Sequence, residues 1–316
     1  MKRSAVDRVC QQTYDVHMKR HTMRPAQLAR TMLLSVVLIA IDAGGASAEA
    51  WREIASGKRM GISGIALAST SPQSDRYIIV HDNKRSGEAR LGLLTTRRER
   101  VRYDTVQWRG KDAEPRDLEA MAPLGPRSKR NYLVMTSSGS VYHLGFSTSF
   151  RKAKVMASFD VPAGEPGANY EGLAIWSRGK RFLVAWGHRG RSSSPGILYW
   201  GWLDLEAASI TVEGQAEIEV PWPDSSVRHI SDLSIEDGEL FLSAASDPGD
   251  NGPFSGALYS AGTFSVDGES IQFEKALEEI HRSDAYKIEA ITPVKGGFAL
   301  GSDDENKGSA FAVIKP

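Results

Sequence analysis

Three things that often hold a protein together or place it in a class are scarce in this sequence. The only cysteine is Cys10, so no disulfide can form within the chain and stability must come from a buried core. No apolar run reaches bilayer-spanning length. TMLLSVVLIAI (31–41) stops well short of the ~20 residues a transmembrane helix needs. Neither sign of charge is in surplus, with 39 Lys+Arg against 39 Asp+Glu. Without a strong basic field, bulk nucleic-acid binding is excluded as an expectation. Several motifs are missing as well: no GxSxG elbow, no Walker loop, no GxGxxG after a strand, no HExxH and no zinc-type cysteine cluster. Helical periodicity is nearly absent. Only ALEEIHRSDAY (276–286) lets a helical turn compete with a strand.

What is present begins with a targeting pattern. MRPAQLAR (23–30) is basic, the apolar run follows, and DAGGASA (42–48) ends in a small-x-small step. That order predicts a secretory signal over residues 1–48. Met23 is an alternative start, and an uncleaved anchor is the alternative fate. The predicted mature part, 49–316, keeps 32 basic and 36 acidic residues, a net charge near −4. A monomer in the periplasm or outside the cell, with no stable membrane span, is the expectation. About 268 residues can build a sizeable core.

The mature part repeats itself. ISGIALAS (62–69), DLEAMAPL (117–124), NYEGLAIW (169–176), SDLSIEDG (231–238) and IEAITPVK (288–295) align on Ser63, Glu119, Glu171, Ser231 and Glu289. Within each period, four- to ten-residue runs rich in β-branched and aromatic residues alternate with Gly, Pro, Asn and Asp. Four short antiparallel strands repeated radially describe a β-propeller blade. The fold class predicted is therefore all-β: a single β-propeller, with five four-stranded blades as the expected count. The last period supplies three strands, and WREIAS (51–56) stands alone before the first. Pairing of Trp51–Ser56 beside Ala310–Ile314 would complete the last blade and remove its exposed edge. A β-sandwich with long loops is the rival, and it explains neither the repeat nor the lone strand.

In such a blade the start of strand one and the end of strand two share a rim. That geometry gathers Asp117, Glu119, Glu171, Asp232 and Glu289 with the segments HDNK (81–84), GHRGR (187–191), SDPGDNG (246–252) and SDDEN (302–306). Carboxylates crowded at one mouth take up protons, pair with cations or bind a hard metal ion. Glu119, Glu171, Asp232 and Glu289 are the candidate metal ligands, with Ca²⁺ the candidate ion. The alternative is architectural: such acids can accept backbone N–H bonds from the next blade and set the spacing of the inner strands. Residues outside the repeat are the better functional candidates. His81, Asp82, His188 and Arg189 are the candidate catalytic groups; Asn83, Lys84, Asp247 and Asp303 are candidates for holding a ligand. Arg228-His229 reads as a solvated loop, with a place on the rim as the alternative, and Trp200 and Trp202 read as core between blades.

The blade starts DLEAMAPL, YEGLAIW, ISDLSIEDG and KIEAITPV, with second strands ending in HDN, GHRG, SDPGDNGP and SDDEN, resemble a bacterial family of EGLA-repeat propellers. More distantly the chain is similar to the esterase-like phytases and, at the acid-Gly step, to gluconolactonase/regucalcin propellers. That last resemblance implies a divalent cation held by the acid of an acid-Gly pair, which here is Glu171-Gly172 alone. The phytase-like resemblance implies Ca²⁺-assisted hydrolysis of a phosphomonoester, with Lys84, His188 and Arg189 on the phosphate. Three functions stay open at this point: binding of a small or phosphorylated ligand through a cation, metal-assisted ester or phosphoester hydrolysis, and a metal-free protein-binding scaffold.

Overall fold

The computed structural model describes residues 51–315 except 99, 111–113, 126–129, 163 and 165. The predicted export segment and Cys10 lie outside the described residues. Strand β1 (Arg52–Ala55) stands alone at the start. Four meanders follow: β2 (Gly64–Ser71), β3 (Ser74–Val80), β4 (Leu91–Arg97) and β5 (Arg100–Arg109); β6 (Leu118–Pro123), β7 (Asn131–Thr136), β8 (Ser140–Phe146) and β9 (Lys152–Asp160); β10 (Tyr170–Arg178), β11 (Arg181–His188), β12 (Gly196–Asp204) and β13 (Ser209–Ile218); β14 (Val227–Glu236), β15 (Glu239–Ser246), β16 (Ser255–Phe264) and β17 (Ile271–Ser283). The last group has three strands, β18 (Ile288–Val294), β19 (Gly297–Ser302) and β20 (Ser309–Ile314). β1 completes it, with Arg52 opposite Phe311 and Ala55 opposite Ser309.

Local chemistry sets the hairpins. Gly179 (φ 65°) and Lys180 turn β10 into β11, and Asp237 (φ 49°) with Gly238 (φ 93°) turns β14 into β15. Positive φ at these positions gives the twist that two-residue hairpins require. The stretch 276–286 resolves in favour of strand: it lies largely in β17, where pairing with β16 outweighs its helical spacing.

Each meander has two apolar faces, and each face packs against a neighbour. One cluster joins Leu183, Trp200 and Trp202 to Leu233, Leu242 and Tyr259, so the two tryptophans are core between adjacent sheets. Others join the first meander to the second and the second to the third. Phe241 and Leu258 meet Ile288, Ile291 and Phe298. Ile62, Ile65 and Tyr77 meet Ala290, Ala299 and Phe311, which brings the first meander against the last. The ring of packed sheets is therefore closed, and the first strands β2, β6, β10, β14 and β18 adjoin one another around the centre. The fold is an all-β propeller. The first two meanders are also joined at their outer edges, where β5 and β9 pair in parallel from Gln107↔Lys152 to Arg109↔Lys154. Among the described residues no helix is long and apolar enough to cross a membrane.

Candidate functional site

The repeated glutamates owe their position to broken register. Leu118 and Ala120 face Thr136 and Met135, Tyr170 and Gly172 face His188 and Gly187, and Ile288 and Ala290 face Ser302 and Gly301. In each pair three residues of the first strand span two of its partner. Glu119, Glu171 and Glu289 are the extra residues. A bulge of this kind re-aims a side chain, so the sequence repeat is a repeat of one irregularity at one end of the central channel. β14 departs further: Arg228 faces Ala245 and Asp232 faces Ser243. Four steps on β14 match two on β15, and the longer irregularity lets Arg228 reach its neighbours' acids.

Arg228 is the hub of one side of this mouth. Its Nη1 donates to Glu289 Oε1 at 2.6 Å and to Glu171 Oε1 at 3.1 Å, and its Nη2 donates to Asp247 Oδ2. Arg189 Nη1 also donates to Glu171 Oε1, at 2.9 Å. Lys287, with 1% of its side chain exposed, lies 3.2 Å from Glu289 and 2.8 Å from Glu305. Lys58 completes the chain of charges through Glu305, at 3.1 Å, and Asp250, at 3.0 Å. Burial works against the Lys287 ammonium, but attraction to Glu289, Asp303 and Glu305 outweighs it and raises its pKa. Burial lifts the Glu289 carboxyl to about 8 against the pull of Lys287 and Arg228. Glu171 Oε2 is buried and accepts no hydrogen bond.

The other side has, among the described residues, three acids and one exposed cation. Asp82 follows β3, Asp117 precedes β6 at φ 64°, and Glu119 is the bulge residue. Each offers a carboxylate oxygen, and these lie within 4.8 Å of one another. Lys84 Nζ sits 2.8 Å from Asp117 Oδ1 with its side chain 63% exposed, and Ser137 Oγ donates to Asp117 Oδ2. Two neighbouring carboxyls are thereby pushed apart. Burial raises Glu119 well above the usual range, and the charges of Glu171, Asp117 and Asp82 add to the effect. Burial also acts on Asp117, but Lys84 and Ser137 overcome it and hold that group low. All donors are oxygens, two of them borne by aspartates, a set suited to a hard cation such as Ca²⁺.

The other candidates are distributed as follows. Asp232 is fully buried, and its carboxylate accepts Leu233 N and Ile291 N, each at 2.8 Å. Its place is between inner strands, the architectural role considered for the repeated acids. His81 is buried: Nδ1 lies 2.6 Å from Gly61 O and Nε2 3.2 Å from Tyr103 Oη. Burial lowers its pKa to about 4, so the imidazole is neutral within the core. Asn83 braces a loop by donating to Arg59 O and Ala89 O. His188 Nδ1 lies within hydrogen-bond distance of the Asn169 backbone. Asp303 is buried against Gly61, where an added Cβ would meet its carboxyl carbon at 2.2 Å; burial raises its pKa to about 7. Asp82, Lys84, Arg189, Asp247, Glu119, Glu171 and Glu289 do meet at the mouth. The sequence pattern misses Lys287, reads Arg228 first as a loop residue with the rim as the alternative, and places Glu305 there only as part of SDDEN. The signals for them were a basic residue just before or at the start of a first strand, in VRHISDL and KIEAITPV, and the last acid of SDDEN.

The far end of the channel differs in kind. A cavity of about 960 Å³ opens there, lined by the C-terminal halves of all five first strands, with Leu173, Leu233 and Ile291 among its wall residues. Nothing in the repeat pattern announces it.

No protein-family model matches the sequence, and no curated protein matches it. Solved structures do. An endo-1,4-beta-xylanase from Bacteroides thetaiotaomicron is 9% identical, with 82% of this chain and 92% of that one covered and a TM-score of 0.50. A glycoside hydrolase is 10% identical over 81% of this chain and 60% of its own, again at 0.50. The calcium structure of a Trichoderma reesei carbohydrate-active enzyme of family AA12 is 10% identical over 86% and 96%, at 0.48. The likeness of the first two, at this level of identity, speaks for the propeller fold alone, since one fold hosts many chemistries.

Proposed function

We propose that this chain is an exported propeller that binds a small polar ligand at its charged mouth through a divalent cation, Ca²⁺ in the first instance. The observation that carries the reading is the approach of Asp82, Asp117 and Glu119 to within 4.8 Å, with Lys84 the one cation paired with them among the described residues. Three carboxylates this close repel one another, and a cation removes that cost. Lys84 and Arg189 then stand at the mouth to meet an anionic group on the ligand. Kinship with the EGLA-repeat or phytase-like propellers is part of the same proposal. The test is calcium titration of the chain freed of residues 1–48, followed by melting temperature and by metal analysis after dialysis. A melting temperature that rises with Ca²⁺ and loses its response in Asp117→Asn supports the reading. No bound metal and no shift at millimolar Ca²⁺ end it.

A second reading, hydrolysis, is favoured by one specific feature. Asp117 and Glu119 are neighbours whose pKa values are driven in opposite directions. Such a pair gives one group that holds a proton and one that accepts it. Turnover of aryl phosphates, aryl esters or aryl glycosides that requires Ca²⁺ and disappears in a folded Glu119→Gln protein would establish it. No turnover on all three classes would leave binding without catalysis.

A further inference from the structure

The cavity at the far end of the channel lies outside the site just proposed. Each first strand contributes an apolar residue to its wall: Leu67, Met121, Ile175, Ile235 and Ile291. Leu67 and Ile235 are only half-buried, so part of this wall faces solvent. The polar groups beside them are mostly neutral hydroxyls, those of Thr70, Ser177, Ser234 and Thr292, and the one cation of the lining among the described residues, Arg130, is exposed at the rim. The acids of the lining, Glu236 at the end of β14 and Asp237 on the turn after it, are both exposed. The two ends of one channel are thus built from opposite chemistries: ion pairs at one, hydrocarbon and hydroxyls at the other.

Packing between the sheets uses one side of these residues and leaves part of the wall open. The sheets pack through apolar clusters that lie between the meanders, and Leu173, Leu233 and Ile291 are already closed into those clusters. Leu67 and Ile235 pack against clusters while still reaching the cavity. A volume of about 960 Å³ is at the upper end of what small-molecule sites enclose. Water there meets a largely apolar surface, and each Å² of it withdrawn from water is favourable by roughly 25 cal/mol. A charged ligand would lose hydration with no buried counter-charge to replace it. Neutral hydroxyls instead offer both donors and acceptors to carbonyl or hydroxyl groups.

We infer that the far end of the channel is a second ligand site, for an uncharged and largely apolar small molecule bearing a few hydroxyl or carbonyl groups. Occupancy here is independent of the cation at the charged mouth.

Nile red, an uncharged apolar dye with a carbonyl group, is the probe. Titrated into the chain freed of residues 1–48, it gives a blue-shifted emission that saturates at one dye per chain, with or without Ca²⁺. Two substitutions add bulk at the lip, Thr70→Trp at an exposed position and Ser177→Trp at a half-buried one. Each weakens the dye at least tenfold, while the melting temperature and its calcium response stay as in the parent. Thr70 is exposed, so its variant keeps the test valid if Ser177→Trp does not fold. Absence of saturable binding overturns the inference. So does saturable binding that a folded Thr70→Trp protein leaves unchanged. Loss of the calcium response alone leaves this inference standing and counts only against the proposed function.

Discussion

The two sides of the charged mouth start from the same repeat and solve the same problem differently. Around β10, β14 and β18 the acids are met by cations of the chain itself: Arg228 serves Glu171, Glu289 and Asp247 together, and Lys287 serves Glu289 and Glu305. Around β3 and β6, three acids have Lys84 as the one cation paired with them among the described residues, and Lys287 acts on Asp82 only through its charge. The first side behaves as a clasp, its charges spent on one another. The second keeps an unmet demand for positive charge, and that demand, more than the number of carboxylates, marks where an external cation belongs.

Breaking the clasp has the largest expected effect. Arg228→Met removes the cation shared by Glu171, Glu289 and Asp247, leaving Glu171 to Arg189, Glu289 to Lys287 and Asp247 without its guanidinium. A loss toward the lower end of about 3–5 kcal/mol in unfolding free energy follows from weakening two buried ion pairs and breaking a third, measured by urea denaturation. Asp232→Ala comes next. It frees the N–H groups of Leu233 and Ile291 without replacement, a cost of about 3 kcal/mol for two buried donors in the same assay. Neither variant should abolish the calcium response of whatever folded protein remains, since neither residue lies among the three acids.

The open side answers to ligand and pH. At a Ca²⁺ concentration a hundred times the dissociation constant, the parent gains about 2.7 kcal/mol, and Asp117→Asn loses most of it. In the absence of metal, Glu119 binds its proton more tightly in the folded chain than in the unfolded one, because burial and the nearby acids raise its pKa. Between its ordinary value and the raised one the unfolded state carries fewer protons, so stability falls as pH rises through that window. Melting curves taken from pH 5 to pH 8 should slope downward in the parent and less steeply in Glu119→Gln. Glu289 and Asp303, also raised, contribute in the same direction to both proteins and cancel from the difference.

The smallest expected effect sharpens the comparison most. Lys84 is 63% exposed, and its pair with Asp117 is worth less than about 1 kcal/mol. Lys84→Met should therefore leave unfolding nearly unchanged while it strengthens calcium binding roughly threefold, in proportion to a pair energy of that size. A weakened affinity instead would mean that Lys84 orders the acids rather than competing with the cation.

The strands, the repeat and the pairing of the first strand with the last were legible because each rests on local pattern: short β-branched runs, turn residues and one strand too few at the end. The mouth was legible only as a region. Whether a glutamate is the extra residue of a bulge depends on which partner residues face its neighbours, and that is settled across the ladder rather than along it. His81, Asp82 and Asn83 read as one rim cluster. Strand alternation and the turn that follows send His81 into the core against Gly61 and Tyr103, Asp82 toward the mouth, and Asn83 into a loop brace. Arg228 read first as a loop residue because VRHISDL shows a basic residue at a strand start but not the four-against-two step that carries it over its neighbours' acids.

The pairing of β1 with β20 carries one more consequence. Because Arg52 faces Phe311, both ends of the described chain leave the same sheet at nearly the same place, and Trp51 is stacked on Tyr286 at 4.3 Å. A short linker could join them there and the backbone be opened between two other sheets without disturbing a single ladder. Such a circular permutant would make the last sheet from consecutive strands. Its refolding rate beside that of the parent would then report how long, in the natural order, the earliest strand has to wait for its partner.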